Sequence, residues 1–216
     1  MLGQSISKNS LLLAAFALVT AGTLALTNMG TKERIAKSER AAQQRALFEV
    51  IPPSDHTNDL LNETLAIPET ARPQLGLQKE ERRIHIARQG TEISAVIVPA
   101  IARDGYSGDI EMIVGVNRDG SVAGVRVIRH KETPGLGDKI DLKKHQWILS
   151  FNGKSLAFPV IEDWKVKKDG GVFDQFAGAT ITPRAMVAQV SRVLEFVAAN
   201  QPLLFEVTAT GEPHEQ

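Results

Sequence analysis

The sequence Asp-Gln-Phe-Ala-Gly-Ala-Thr-Ile-Thr-Pro-Arg, residues 174–184, decides how the C-terminal half of the chain folds. Two glycines precede it and free the backbone to turn. Thr182 before Pro183 is typical of a helix N-cap followed by the first helical residue, where proline loses no hydrogen bond. The stretch therefore predicts a small-residue turn leading into a helix, with Thr180 just before the helix start. Backbone N–H groups are free at such a start, so a phosphate could be held there.

Behind this turn, apolar residues recur at three- and four-residue intervals, which is typical of a helix with one buried face. They are Met186, Val187, Val190, Val193, Leu194 and Val197. The spacing predicts a helix over residues 183–200. Residues 203–207 then read as a last strand, and residues 208–216 as a loose tail.

Ahead of the turn, the chain has the alternating and β-branched texture of strands. Strands are predicted at 83–87, 93–98, 109–116 and 122–128, and the last two flank the hairpin turn Asn117-Arg118-Asp119-Gly120. Short helices are predicted at 59–65 and 143–149. Strands followed by a closing helix indicate an α+β fold, a small antiparallel sheet packed by helices.

The N-terminal region contains an uncharged apolar run at residues 11–29. At about 1.5 Å rise per residue it extends about 28 Å, close to the ~30 Å hydrocarbon core of a bilayer. We interpret it as an uncleaved transmembrane helix; a cleaved signal peptide and a buried core helix are the alternatives. Residues 31–50 follow as a charged juxtamembrane helix, and the prolines after residue 51 indicate a linker.

The charges beside this run do not agree with the orientation that the resemblance below implies. Only Lys8 precedes the run, whereas five basic residues follow it: Lys32, Arg34, Lys37, Arg40 and Arg45. The positive-inside rule alone would place the C-terminal side in the cytoplasm, although large domains cross regardless of such charge.

Composition excludes several classes of protein. The chain has 25 basic and 25 acidic residues, so it carries no charge excess that would attract nucleic acid. It has no cysteine, which excludes disulfides, thiolate nucleophiles and iron–sulfur ligation by cysteine. No acid–base constellation and no Gly-x-Gly-x-x-Gly fingerprint occurs, so neither catalytic residues nor metal ligands are assigned.

Gly178-Ala179-Thr180, with Asp174 upstream and Thr182 downstream, resembles the flavinylation motif of FMN-binding domains in the Rnf and sodium-pumping NADH:quinone oxidoreductase complexes. The family usually has Ser or Thr where this chain has Ala177. In that family the last threonine of the motif carries FMN through a phosphoester, installed by a dedicated flavin transferase from FAD. The resemblance therefore implies covalent FMN on Thr180.

Two further stretches resemble signatures of the same domain family, in the family's order. They are Glu132-Thr133-Pro134-Gly135-Leu136-Gly137, after the predicted hairpin, and Gly105-Tyr106-Ser107-Gly108-Asp109-Ile110, before it. With the N-terminal helix, the chain is most similar to the RnfG family of the Rnf ion-translocating electron transport complex. The resemblance implies cofactor contacts by Gly178, Ala179, Thr182, Glu132, Thr133, Leu136 and Gly137. Trp164 and Phe176 are candidates to cover the ring, although core packing suits both.

The resemblance implies an electron carrier within a membrane complex and not a stand-alone enzyme. The implied division is 1–10 cytoplasmic, 11–29 transmembrane, 30–78 juxtamembrane helix and linker, 79–207 FMN-binding domain and 208–216 tail. It implies a single-pass protein of the bacterial inner membrane, with the flavin domain on the periplasmic side and other Rnf subunits as partners. The alternatives are an anchored periplasmic binding module without cofactor and a membrane-tethered flavin reductase.

Overall fold

A computed structural model describes residues 2–78 and 82–206, which divide into two compact units, Met1–Gln43 and Gln44–Gln216. The predicted tail at 208–216 and Val207 lie outside the described residues. The α+β class is confirmed, because a long apolar N-terminal helix precedes a five-stranded antiparallel sheet packed by helices. The predicted domain boundaries stay predictions.

The first helix, α1, runs without a break from Leu2 to Val50, so the predicted membrane and juxtamembrane helices are one element. Its apolar part, within Asn9–Val50, is long enough to cross a membrane and none of it is buried, unlike a core helix. The hydroxyls of Thr20, Thr23 and Thr27 each donate to the carbonyl oxygen four residues earlier, at 2.8–2.9 Å. This pairing satisfies their hydroxyl hydrogens within the helix, as hydrocarbon requires.

The sheet is an antiparallel meander in which each strand pairs with its neighbours in sequence. Its strands are β1 Thr64–Ala66, β2 Arg83–Gln89, β3 Glu92–Ala102, β4 Ile110–Asn117 and β5 Val122–Arg129. The predicted hairpin is confirmed, because Gly120 N donates to Asn117 O at 2.9 Å between β4 and β5. The turn therefore sets the register of the two strands.

Both faces of the sheet are covered, which explains the nearly continuous apolar runs of β3 and β4. One face packs on α2, Ile181–Ala199, through residues such as Val98 and Val114. The other packs on Leu47 and Val50 from the end of α1. Burial on both faces explains why strict alternation is absent from these strands.

Three local predictions are wrong. Residues 203–207 do not form a strand, because Pro202 starts a short helix, α3 Gln201–Phe205, that buries Leu204 and Phe205. Residues 59–65 are not helical, because Thr64 and Leu65 pair with β2 as the edge strand. The helix expected at 143–149 is a 3₁₀ segment, Gln146–Phe151, that starts later because the His145 side chain caps Trp147 N.

Candidate functional site

Helix α2 has its N-cap two residues earlier than the sequence predicts. Thr180 and not Thr182 is the N-cap, and Arg184 N donates to Thr180 O at 3.2 Å. The expectation that Thr182 caps the helix is therefore wrong. Its side chain is 1% exposed and its hydroxyl donates to the Glu132 carboxylate, a stronger acceptor than water. Pro183 falls within the first turn, where its missing N–H removes no helical bond.

Thr180 itself is half-buried and makes no side-chain capping hydrogen bond. A threonine N-cap normally accepts a bond from the second or third helical N–H, so this hydroxyl is not used by the helix. The first N–H groups of α2 also lack helical partners, as at any helix start. The hydroxyl and these donors therefore form a small polar patch at the positive end of the helix.

A tight turn holds Thr180 in place on its N-terminal side. Ala179 N donates to Phe176 O at 3.1 Å, and Gly178 has a φ of +79°, which a residue with a side chain rarely adopts. A Cβ on Gly178 would lie 3.5 Å from Leu136, so this turn lies beside the second signature. The predicted small-residue turn before the helix is confirmed.

The second signature folds into a loop organised by one carbonyl. The N–H groups of Leu136, Gly137 and Asp138 all point to Thr133 O, at 3.2, 3.0 and 3.4 Å. Gly135 has a φ of +77°, which allows the reversal. The loop therefore presents Thr133, Leu136 and Gly137 on one side.

Glu132 joins the three signatures. Its side chain is 4% exposed, and its two oxygens accept from Ser107 N at 2.9 Å and from the Thr182 hydroxyl. One carboxylate thus connects the Gly105–Gly108 turn, its own loop and the start of α2. Since a buried carboxylate without hydrogen bonds costs several kcal/mol, these contacts hold the three segments together.

Gly137 is required at its position because the Glu132–Thr182 contact lies directly against it. A Cβ at residue 137 would come within 2.9 Å of both the Glu132 carboxylate and the Thr182 hydroxyl. Any side chain would therefore push the two groups apart. The glycine is needed for close packing and not for its backbone freedom.

The three signatures enclose an open cavity of about 270 Å³. All eight residues assigned from the resemblance line it: Glu132, Thr133, Leu136, Gly137, Gly178, Ala179, Thr180 and Thr182. Tyr106 and Ile181 complete the lining and were not assigned to it. Their only sequence signal is position, since Tyr106 lies in the third signature and Ile181 lies between two assigned threonines.

The other aromatic candidates lie elsewhere. Trp164 and Phe176 are buried in the core, where Trp164 packs on Phe173 and Phe176 packs on Trp147, with ring centroids 5.1 Å apart in each pair. Trp147 also donates from Nε1 to Asp174 O at 2.7 Å, which fixes the segment before the turn. This cluster supports the cavity from behind and does not line it.

His130 and Asp174 have structural contacts. His130 Nδ1 accepts from Glu132 N at 3.1 Å, so this histidine shapes the start of the loop. Asp174 is exposed and pairs with Lys167 at 2.6 Å. Neither residue lines the cavity.

The cavity suits a ligand that has both an anionic end and a flat apolar part. The helix start offers free N–H groups to an anion. Tyr106, Leu136 and Ile181 offer exposed apolar surface at the same cavity. Two close backbone approaches, at Gly137 and Gly178, leave room that a side chain would fill.

Comparison with known proteins gives consistent matches over both units. Residues 105–195 match the family described as FMN-binding domain, and residues 1–50 match the RnfG N-terminal region. The chain is 49% identical over 201 residues to the RnfG subunit of the ion-translocating oxidoreductase complex of Pseudomonas aeruginosa, covering 93% of this chain and 92% of that protein. Proteins of the same name are 47% identical over 198 residues in Shewanella amazonensis (92% and 91% covered) and 44% over 201 residues in Vibrio atlanticus (93% and 94%).

Proposed function

The chain belongs to the RnfG family of ion-translocating oxidoreductase subunits and contains an FMN-binding domain, and from this premise we propose that it relays electrons through FMN esterified to Thr180. The observation that carries the proposal is the Thr180 hydroxyl. It makes no capping bond, sits at the N-terminus of α2 and lines a cavity to which all three signatures contribute. FMN supplies the redox chemistry, and the protein supplies attachment, orientation and surroundings.

The residues around Thr180 have separate roles in this proposal. The N–H groups of the first turn of α2 hold the phosphoester oxygens, and the partial positive charge of the helix favours them. The hydroxyl of Thr182 is committed to Glu132, so Thr182 contributes its backbone N–H and not its side chain. Gly178 and Ala179 allow the backbone to approach, while Thr133, Leu136 and Gly137 contact the rest of the cofactor.

Charge favours an ester over free FMN at this site. Among the lining residues only Glu132 is ionisable apart from Tyr106, and none is a cation. A free phosphate monoester carries about −1.5 to −2 charges at neutral pH, whereas a diester carries about −1. Esterification therefore lowers the repulsion from Glu132. It also removes the entropy cost of bringing the cofactor back each time.

The attachment step balances with FAD as the donor. The Thr180 oxygen bonds to the phosphorus of the FMN half, the bond between the two phosphates breaks, and AMP leaves with the electron pair. The hydroxyl proton passes to solvent. We propose that a flavin transferase catalyses this step; Asp174, exposed beside the turn, is available to it.

The setting is a membrane. The protein has a helix long enough to span one, and its relatives are subunits of a membrane complex. We propose a single span in the bacterial inner membrane, with the flavin domain on the periplasmic side and electron exchange with the other subunits of the complex. A covalent bond prevents loss of the cofactor where free FMN is scarce.

Intact mass after co-production with the transferase tests the proposal. The wild-type chain is expected to carry one added FMN, with flavin fluorescence that survives denaturation. Thr180→Val removes the acceptor oxygen and should abolish both signals. Thr133→Val removes another hydroxyl of the same cavity and should keep them. Flavin retained in Thr180→Val would contradict the assignment.

A further inference from the structure

We infer that Tyr106 is the aromatic residue that packs against the isoalloxazine ring of the attached FMN, with Leu136 and Ile181 completing an apolar contact surface at the cavity. The inference rests on the proposed function and adds a residue that directly contacts the cofactor ring.

The first observation is exposed apolar surface concentrated at one cavity. Tyr106 is 67% exposed, Leu136 42% and Ile181 45%, and all three line it. Single exposed apolar residues are ordinary on a protein surface. Three from separate segments around one cavity indicate a binding surface, because each would otherwise remain in water without compensation.

The second observation is that the backbone of Tyr106 is fixed while its side chain is not. Ser107 N donates to Glu132 at 2.9 Å, and a Cβ on Gly105 would come within 3.0 Å of the same carboxylate oxygen. Within residues 2–78 and 82–206, the Tyr106 hydroxyl and ring have no hydrogen-bond or aromatic partner. The carboxylate that holds the start of α2 thus also holds Tyr106 at the cavity.

The third observation is that other nearby aromatic residues are occupied. Trp147, Phe151, Trp164, Phe173 and Phe176 are buried and pack on one another. Tyr106 is the aromatic member of the lining. A flat, conjugated ring with polar edges stacks well on tyrosine, which combines a large apolar face with a hydroxyl that stays in water.

Access of iodide to the attached flavin tests the inference. The full chain, co-produced with the transferase and solubilised in detergent, is compared with Tyr106→Leu, Tyr106→Phe and Phe158→Leu. Phe158 is a control, because it is 79% exposed and does not line the cavity. Loss of an aromatic contact should shift the balance between docked and undocked flavin about two- to tenfold.

Tyr106→Leu is therefore expected to raise the quenching of flavin fluorescence by iodide about twofold or more, measured per attached flavin. Tyr106→Phe keeps the ring and should behave like the wild type, as should Phe158→Leu. Equal quenching in Tyr106→Leu and Phe158→Leu, with FMN attached to both, would overturn the role of Tyr106 and leave the electron relay intact. A wild-type chain without added FMN mass would overturn the proposed function and this inference together.

Discussion

Glu111 and Glu132 are both buried carboxylates, exposed by 8% and 4%, yet they are balanced in different ways. Glu111, on β4, accepts from the guanidinium groups of Arg82 and Arg129, at 2.6 Å from Nη2 of the first and Nε of the second. Glu132 accepts from a backbone N–H and a hydroxyl, and in the described part of the chain no ion pair to it occurs.

The difference separates a structural carboxylate from one that builds a site. Burial alone would raise the pKa of Glu111, but the hydrogen bonds and charges of Arg82 and Arg129 outweigh it and hold the pKa below its usual value. Glu132 instead connects three loops through neutral donors, and its charge remains at the cavity. Single substitutions at or beside each carboxylate should therefore have different consequences.

Glu132→Gln should have the largest effect. The amide offers one acceptor oxygen where the carboxylate serves two donors, so a buried group loses its partner at a cost of about 1–3 kcal/mol. The thermal unfolding midpoint of the solubilised chain should fall, and iodide access to attached flavin should rise. Glu92→Gln, on an exposed strand end, should change neither. A Glu132→Gln chain as stable as the wild type would show that the carboxylate does not hold the loops.

Gly137→Ala should act on the same contact with a smaller effect. The new methyl group meets both partners of the Glu132–Thr182 bond at 2.9 Å, and overpacking of this kind costs about 1–2 kcal/mol. The expected result is a lower unfolding midpoint that is not additive with Glu132→Gln, because both changes disrupt one contact. Gly90→Ala, where φ is +63° and nothing lies within 4 Å, should add to Glu132→Gln instead. Full additivity of Gly137→Ala would contradict the shared contact.

Glu111→Gln should have the smallest effect and a distinct pH dependence. Because the folded pKa of Glu111 is lowered, its stabilisation is fully present above the unfolded pKa, about 4.3, and is lost as the pH falls through the folded value. The substitution should therefore cost about 1 kcal/mol at pH 7 and progressively less below about pH 4. Unfolding midpoints at pH 7 and pH 3.5 measure this. Flavin content should not change; a pH-independent loss would contradict the role of the two arginines.

Much of the fold follows from sequence because it is local. The hairpin at Asn117-Arg118-Asp119-Gly120 and the helix periodicity after Thr182 are encoded within a few residues. The edge strand β1 could not be predicted, because Thr64 and Leu65 become a strand only by pairing with β2. The N-cap shifted from Thr182 to Thr180 for a similar reason, since the competing acceptor, Glu132, lies 50 residues away.

The site was predictable as a set of segments but not as an arrangement. The glycine-rich turns mark where the backbone reverses, and the resemblance assigned eight lining residues. Neither could show that Glu132 joins all three segments, because its partners Ser107 and Thr182 are distant in sequence. Tyr106 was missed because its role depends on exposure at the cavity, which no spacing encodes.

Peptide mapping of the chain co-produced with the flavin transferase tests the central claim most directly. Cleavage after Lys168 and Arg184 releases residues 169–184, in which Thr180 and Thr182 are the hydroxyl residues. Fragmentation of this peptide should place the whole FMN mass on Thr180, because the Thr182 hydroxyl is buried against Glu132. An unmodified peptide, or FMN found on Thr182, would contradict the account.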